Sequence, residues 1–148
     1  MSDVTVADGL RGHPEGLPYS MLAEGMRLGE AQFRVDGAEV ASLVRNLADE
    51  EYSQRWPQTD AAPAAWGFLL VLRTMQEQGV VPPGCVFAGI EVDYLAPFRI
   101  GRMIRMESMV ERLYERRGRS FAAIRYRAFD HESGEQLMCL DHILIWGG

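Results

Sequence analysis

The sequence predicts an α+β fold in which one long helix packs across an antiparallel β-sheet. Residues 64–78 are predicted to form this helix, because an apolar run follows several small residues and Gly79 suits a left-handed C-terminal cap. The run 66–72 is apolar nearly all round, which predicts a helix buried on most of its surface. A Pro-Pro-Gly turn and four extended segments follow the helix and one precedes it, so we expect about five strands.

An arm and two short elements are predicted before the long helix. Residues 1–16 contain glycines, charges and a proline without periodicity, which predicts a flexible N-terminal arm. The first strand is expected at residues 29–35. Asp36 then suits a helix N-cap, with Glu39 three residues later, and the apolar spacing beyond it predicts a short amphipathic helix to about residue 48.

The four strands after the long helix are expected at residues 86–95, 102–114, 119–130 and 136–146. Neighbouring residues of a strand point to opposite faces of the sheet, so the strand at 119–130 has two distinct faces. No repeat or second domain is visible, and residues 17–148 are assigned to a single domain. The face of strand 119–130 predicted to pack under the helix carries Ser120, Ala122, Ile124, Tyr126 and Ala128.

The composition indicates one globular domain that binds neither nucleic acid nor membrane. A chain of 148 residues is long enough to bury its own core. Its formal net charge of −6 argues against a general nucleic-acid-binding surface, which is usually basic. The longest apolar run is too short to cross a bilayer, and the N-terminus lacks the pattern of a signal peptide, so we expect a cytoplasmic location.

Neither a metal site nor a bound cofactor is expected. The two cysteines, Cys85 and Cys139, both lie in apolar strand contexts, where buried reduced thiols are expected. The sequence has no metal-ligand spacing, phosphate-binding glycine loop or nucleophile elbow. Any chemistry is therefore expected from ordinary side chains and backbone groups.

One buried helix across an antiparallel sheet is the arrangement of a hotdog domain, and two segments resemble a particular hotdog family. The segment E-V-D-Y-L-A-P-F-R-I-G at 91–101 is similar to the F-x-x-P-V-x-x-G-D segment of MaoC-like hydratases and dehydratases. The segment L-P-Y-S-M-L-A-E-G at 17–25 resembles the opening of that family, where an E-x-G turn leads into the first strand. The resemblance implies acyl thioester substrates. A lone hotdog also leaves a sheet edge uncovered, so we expect a homodimer or a heterodimer with another hotdog chain.

The resemblance places the working residues in the loop before the long helix, within a D-x-N-P-x-H-like motif. Its aspartate and histidine activate water or move the α-proton. Here Asp49 stands at the aspartate position, whereas Gln54 stands where the histidine belongs and Glu51 and Tyr52 replace the Asn-Pro pair. Gln54 cannot act as a general base at neutral pH. The loop therefore resembles the degenerate half of double-hotdog hydratases and the non-catalytic subunits of heterodimeric dehydratases.

Other residues are candidates for a modified site. Glu50, Glu51 or Asp60 serves as acid or base if burial raises its pKa, and otherwise is a solvated loop charge. Tyr52 and Gln54 are candidates for substrate binding, with packing of Tyr52 in the loop as the alternative.

The start of the long helix is a candidate oxyanion site. Free backbone N–H groups at Ala65, Trp66 and Gly67 are expected to stabilise a thioester oxygen, as oriented amides at a helix N-terminus do. The alternative for Gly67 is close helix–sheet packing, and for Trp66 it is a place in the core or pocket wall.

The last candidate is His142, whose neighbour Asp141 points to the opposite face of the strand, so the two do not form a simple dyad. His142 is expected to face solvent or a dimer partner, and it is a catalytic candidate if a dimer supplies it. A separate set of arginines is either solvated sheet-surface charge or a cradle for the phosphates of a CoA or carrier-protein arm. This set comprises Arg102, Arg105, Arg112, Arg116, Arg117, Arg119, Arg125 and Arg127.

Three functions follow from this sequence. The first is a lyase-type enzyme, a dehydratase, cyclase or isomerase that tailors an acyl thioester or related carbonyl compound in secondary metabolism. The second is a non-catalytic acyl-binding subunit that pairs with a catalytic hotdog dehydratase. The third is a hotdog thioesterase that uses one loop carboxylate.

Overall fold

The computed structural model describes residues 3–7, 15–47 and 60–147, which form one antiparallel sheet and two α-helices. The helices are α1 (Gly37–Leu47) and α2 (Ala65–Gln78), and a 3-10 turn covers Tyr19–Met21. The order of strands in the sheet is β1-β2-β4-β5-β6-β3. The predicted α+β fold is confirmed. The strands are β1 (Asp3–Val6), β2 (Arg27–Arg34), β3 (Val86–Tyr94), β4 (Met103–Arg116), β5 (Arg119–Asp130) and β6 (Gln136–Ile145).

Residues 3–6, inside the predicted flexible arm, form a strand. β1 pairs with β2, with Asp3 opposite Gln32 and Val6 opposite Gly29. The sheet therefore has six strands where about five were predicted. A run of four residues is too short for two-residue alternation to stand out in a sequence. Pairing with β2, a non-local contact, is what defines this strand.

The helix ends agree with the predicted caps. The Oδ1 atom of Asp36 accepts hydrogen bonds from the backbone N–H groups of Ala38 and Glu39, at 2.8 and 3.0 Å. Gly79 has a left-handed φ of 64° and donates its N–H to the carbonyl oxygen of Met75 at 3.2 Å. The predicted ends of the other helices and strands lie within two residues of the observed ones.

α2 crosses the inner face of the sheet. Near its start, Gly67 packs against Met138 of β6, and near its end the Nε2 atom of Gln78 donates to Ser108 Oγ of β4 at 3.0 Å. β5 lies between those two strands and presents the face that was predicted to pack under the helix. Except for the partly exposed Ser120, that face is buried to 1% exposure or less, and it consists of Ala122, Ile124, Tyr126 and Ala128.

β3 lies at one end of the sheet order, beside β6. Among the residues that the structure describes, no strand pairs with its outer edge. Large apolar side chains on this strand and the residue after it are 38% to 57% exposed. They are Val86, Phe87, Ile90, Tyr94 and Leu95.

Candidate functional site

A large apolar pocket lies between α2 and the part of the sheet formed by β6 and β3. Its volume is about 890 Å³, which is within the range of small-molecule sites. α2 contributes one face, because Phe68, Leu72 and Met75 are four and three residues apart and so lie on the same side of the helix. The other lining residues are Glu15, Gly16, Gln76, Gly79, Val81, Pro82, Pro83, Gly84, Cys85, Phe87, His142 and Leu144.

The pocket runs along α2 and has chemically different ends. At the end near Gly79, the backbone N–H of Leu17 donates to the carbonyl oxygen of Val80 at 2.8 Å. This hydrogen bond holds Glu15 close to the rim of the pocket. At the other end, the ring of Phe68 meets the imidazole of His142. From Phe68 to Gly79 an α-helix rises by about 16 Å. The carboxylate and the imidazole are therefore well separated along the pocket.

His142 is buried in the pocket wall rather than facing solvent. Its side chain is on β6 and the residue is only 2% exposed. The imidazole lies 5.0 Å from the ring of Phe87 and 6.5 Å from that of Phe68, measured between centroids. The expectation that His142 faces solvent or a partner chain is therefore wrong. Its strand neighbours at 140 and 144 are leucines on the same, inner face, and both are buried.

The imidazole of His142 is neutral near pH 7 and lacks hydrogen-bond partners. Burial lowers its pKa from the ordinary value of 6.5, because an apolar environment disfavours the charged form. Neither Nδ1 nor Nε2 has a hydrogen-bond partner among the described residues. A neutral imidazole has one donor and one acceptor, so both remain available to a bound molecule.

Asp141 is separated from His142 by the sheet, as predicted. It lies opposite Arg125 and accepts two hydrogen bonds from that guanidinium, at 2.7 and 2.9 Å. Glu111 also pairs with Arg125, at 3.1 Å. These contacts raise the pKa of Arg125, chiefly through the hydrogen bonds to Asp141. The outer-face cluster is thus already charge-paired, and its side chains lie on the opposite face of the sheet from the imidazole of His142.

Asp60 forms a surface ion pair with Arg99. One guanidinium nitrogen of Arg99 donates to both of its carboxylate oxygens, at 3.0 and 2.8 Å. The Asp60 side chain is 76% exposed and does not line the large pocket. The backbone N–H of Ile100 donates to the carbonyl oxygen of Asp60 at 2.7 Å, which ties the segment before α2 to the turn after β3. This arrangement matches the alternative of a solvated loop charge.

The start of α2 does not present free amides at Trp66 and Gly67. Their N–H groups donate to the carbonyl oxygens of Pro63 and Ala64, at 2.9 and 3.0 Å. A Cβ on Gly67 would lie 2.6 Å from the sulfur of Met138. Gly67 therefore allows close helix–sheet packing, which was the alternative to an oxyanion role, and this corrects the first expectation.

Trp66 is part of the core, at 4% exposure. Its Nε1 atom has no hydrogen-bond partner among the described residues. The remaining loop candidates, Asp49, Glu50, Glu51, Tyr52 and Gln54, lie outside the described residues.

The arginines in and beside β4 and β5, which were expected to be either solvated surface charge or a phosphate cradle, do not act as one group. Arg102 forms two hydrogen bonds with Asp130, at 2.8 and 2.9 Å, and Arg105 pairs with Glu30 at 3.2 Å. With Arg125, these side chains are already neutralised by carboxylates. Four others are exposed and make no ion pair with any described residue, namely Arg112, Arg116, Arg117 and Arg119.

Two further findings concern metal sites and membranes. Among residues 3–7, 15–47 and 60–147, no cluster of three or more histidine, cysteine or acidic side chains has the geometry to hold a metal ion. No helix in the same part of the chain has the length and apolar character needed to cross a membrane.

Several pocket residues were not singled out from the sequence. Phe68, Leu72 and Met75 have the spacing of one helix face, but the apolar run around them hides which face lines a cavity. Cys85 was expected to be a buried thiol; it lines the pocket, is half-buried, and accepts a hydrogen bond from the N–H of Gly147 at 3.3 Å. Burial raises the pKa of the Cys85 thiol.

The sequence matches no protein-family model and no curated protein. Solved structures do share its architecture. A MaoC-like dehydratase from Rhodospirillum rubrum has a TM-score of 0.68 and 21% sequence identity, over 90% of this chain and 99% of that chain. The R-hydratase PhaJ1 from Pseudomonas aeruginosa has a TM-score of 0.67 and 16% identity, over 88% of this chain and 86% of that chain.

A third similar structure is the HadBC (3R-hydroxyacyl-ACP dehydratase) complex from Mycobacterium tuberculosis. It has a TM-score of 0.59 and 18% identity, over 77% of this chain and 89% of that chain. At these identities the similarity is one of fold. The protein therefore has the hotdog fold, in the form shared with MaoC-like dehydratases and hydratases.

Proposed function

We propose that this protein binds an acyl thioester and that the acyl chain occupies the pocket beside α2. The apolar lining of that pocket is the observation that carries the proposal, since Phe68, Leu72, Met75 and Leu144 offer contacts that suit a hydrocarbon chain. Each buried methylene group contributes about 0.8 kcal/mol. Similarity in fold to an R-hydratase and to dehydratases supports the same substrate class.

The reaction class that we propose is lyase-type chemistry on the acyl chain, in a tailoring step of secondary metabolism such as dehydration, cyclisation or isomerisation. Named hydratase and dehydratase activities of the similar structures support this class. Because Gln54 replaces the histidine of the family motif, a different group has to transfer the proton. Asp49 is the first candidate on motif position, followed by Glu50 and Glu51.

Chain-length dependence of binding tests the pocket. Binding of saturated acyl-CoA thioesters should tighten by about fourfold per added methylene, from about 0.8 kcal/mol each, until the pocket is full. Leu72→Trp fills the cavity and should abolish this dependence. Arg73→Trp adds the same indole at an exposed position of the same helix and should preserve it. Equal chain-length dependence in both variants would refute the proposed pocket.

Turnover tests the reaction class. The purified chain is assayed with enoyl-CoA, 3-hydroxyacyl-CoA and saturated acyl-CoA thioesters, and we expect hydration or dehydration of the first two. If a loop carboxylate transfers the proton, one of Asp49→Asn, Glu50→Gln and Glu51→Gln should slow turnover by about 10²–10⁴-fold. Release of free CoA from the saturated thioester would instead indicate a thioesterase.

The second candidate function is a non-catalytic subunit that binds acyl groups beside a catalytic hotdog chain. The exposed apolar side chains of β3 favour a paired chain, whether identical or different, as does its outer edge, which no described strand pairs with. Binding of acyl-CoA without turnover of any thioester would support this candidate over the enzyme. Turnover by the chain alone would exclude it.

A further inference from the structure

His142 is the most unusual polar residue in the described part of the chain. The buried side-chain atoms there that lack a hydrogen-bond partner are Nδ1 and Nε2 of His142 and Nε1 of Trp66. Most buried polar atoms in proteins are paired, because an unpaired one loses its hydrogen bonds to water without replacement. Because neither nitrogen of this imidazole is paired among the described residues, both are available to a bound molecule.

The surroundings of the imidazole are apolar on every described side. Phe68 of α2 and Phe87 of β3 contact the ring, and the residues paired with His142 on the adjacent strands are Ile90 and Ile124. The titratable groups that share the pocket are Glu15, at the far end, and the thiol of Cys85. On the outer face of the sheet, Glu91 lies opposite Asp141, which accepts a hydrogen bond from Arg125.

We propose that His142 is a substrate-selecting residue, whose imidazole forms a hydrogen bond with a hydroxyl or carbonyl oxygen on the acyl chain. This inference rests on the proposed function and narrows its substrate class to oxygen-bearing acyl chains. The oxygen sits within the otherwise apolar pocket, beside Phe68 and away from the rim at Glu15. A saturated chain leaves both imidazole nitrogens unpaired, so it binds less tightly.

An ordered water is a weaker partner than a ligand oxygen at this position. Buried waters usually make about three hydrogen bonds to polar groups. The rings of Phe68 and Phe87 and the side chains of Ile90 and Ile124 supply none. An oxygen carried on an acyl chain is instead held in place by the apolar contacts of the chain itself. The imidazole then adds selectivity to binding that the pocket already provides.

Paired thioesters test the inference in the wild-type protein and in variants. The probes are octanoyl-CoA, 3-hydroxyoctanoyl-CoA and 8-hydroxyoctanoyl-CoA, compared by calorimetric titration. The wild type should bind at least one hydroxylated thioester about three- to tenfold more tightly than octanoyl-CoA, as one neutral hydrogen bond provides. His142→Phe should remove that preference and retain octanoyl-CoA binding. His142→Gln should keep part of the preference, since an amide both donates and accepts.

Two controls keep the result interpretable. His131→Phe changes an exposed histidine in a turn and should leave the preference unchanged. In the wild-type protein, the ¹⁵N shifts of His142 should move on addition of the preferred hydroxylated thioester but not of octanoyl-CoA, a readout that needs no variant. Equal affinity of the wild type for all three probes, with unchanged imidazole shifts, would refute the role of His142 alone. Failure of every probe to bind the wild type would overturn the proposed function and this inference together.

Discussion

The ring of Phe87 covers the imidazole of His142, at 5.0 Å between centroids and with a tilt of 46°. Phe87 is 52% exposed, whereas His142 is only 2% exposed. This exposed aromatic side chain of the edge strand β3 therefore lies between one side of the imidazole and solvent. Phe87 is thus one of the apolar side chains that bury His142, and burial lowers the pKa of its imidazole.

Removing the cover should expose the imidazole. In Phe87→Ala, water reaches His142, and its pKa should rise toward the ordinary value of about 6.5, because burial is the cause of the lowered pKa. The measurement is an NMR titration of the imidazole resonances. Tyr94→Ala, which truncates another exposed aromatic of β3, should leave the titration as in the wild type. An unchanged titration in Phe87→Ala would contradict this account of the pocket wall.

The lowered pKa of His142 should also appear in the pH dependence of stability. In the unfolded chain the imidazole takes up a proton as the pH falls through about 6.5, whereas in the folded protein it does so only at lower pH. The free energy of unfolding should therefore fall on acidification from pH 7, down to the pKa of the folded state. Urea denaturation at pH 7 and 5.5 should show that the free energy of unfolding falls more between these pH values in the wild type than in His142→Phe. The carboxylates are common to both proteins, so identical losses would argue against a lowered pKa.

Gly67 should be required for packing. A Cβ at this position would lie 2.6 Å from Met138 Sδ and 2.9 Å from Phe98 Cε2. Overpacking typically costs about 1–3 kcal/mol, and the gain in helix propensity from glycine to alanine offsets about 1 kcal/mol of it. Gly67→Ala should thus lower the free energy of unfolding, and Gly67→Val should lower it further.

A double-mutant cycle identifies the cause of that loss. Met138→Ala removes the side chain that a Cβ on Gly67 would meet. The Gly67→Ala substitution should therefore cost less in the Met138→Ala background than in the wild type. Equal costs in both backgrounds would show that the sulfur contact does not constrain the glycine.

Local patterns predicted the fold better than the site. The caps at Asp36 and Gly79 and the inner face of β5 follow from short stretches of sequence, and all three are confirmed. The orientation of His142 was missed because the segment C-L-D-H-I-L-I-W carries apolar residues on both faces. The pocket was missed because its walls come from residues far apart in the chain, such as Glu15, Met75 and Leu144.

The exposed apolar side chains of β3 and of Leu95 should form a dimer contact. Val86 and Leu95 lie at the two ends of this segment, at 53% and 57% exposure. Introducing charge with the double variant Val86→Lys and Leu95→Lys should convert a dimer to a monomer, because buried unpaired ammonium groups are strongly disfavoured. Sedimentation velocity at micromolar concentration measures the change. Met21→Lys alters an exposed methionine elsewhere and should not affect it. A wild type that sediments as a monomer contradicts the prediction.

The arginine tip, defined as Arg116, Arg117 and Arg119 in the β4–β5 turn, should bind the phosphates of CoA. It lies at the pocket end of the sheet, because the carbonyl oxygen of Ser120 accepts a hydrogen bond from the N–H of Trp146 at 2.8 Å. The next residue, Gly147, donates its N–H to the sulfur of Cys85 in the pocket wall.

The arginine tip should therefore contribute to binding of the CoA part of a ligand and not to binding of its acyl part. Replacing Arg116 and Arg119 by alanine should weaken octanoyl-CoA binding by about 1.4- to fivefold per charge, from the roughly 0.2–1 kcal/mol of an exposed ion pair. Binding of octanoyl-pantetheine, which lacks the nucleotide phosphates, should not change. High salt should reduce the difference between the variant and the wild type, because it screens exposed charges. Arg102→Ala provides the control, since Asp130 and Glu132 already pair with that arginine. If the tip variant bound octanoyl-CoA and octanoyl-pantetheine less tightly by the same factor, the substitutions would act on the fold and not on phosphate binding.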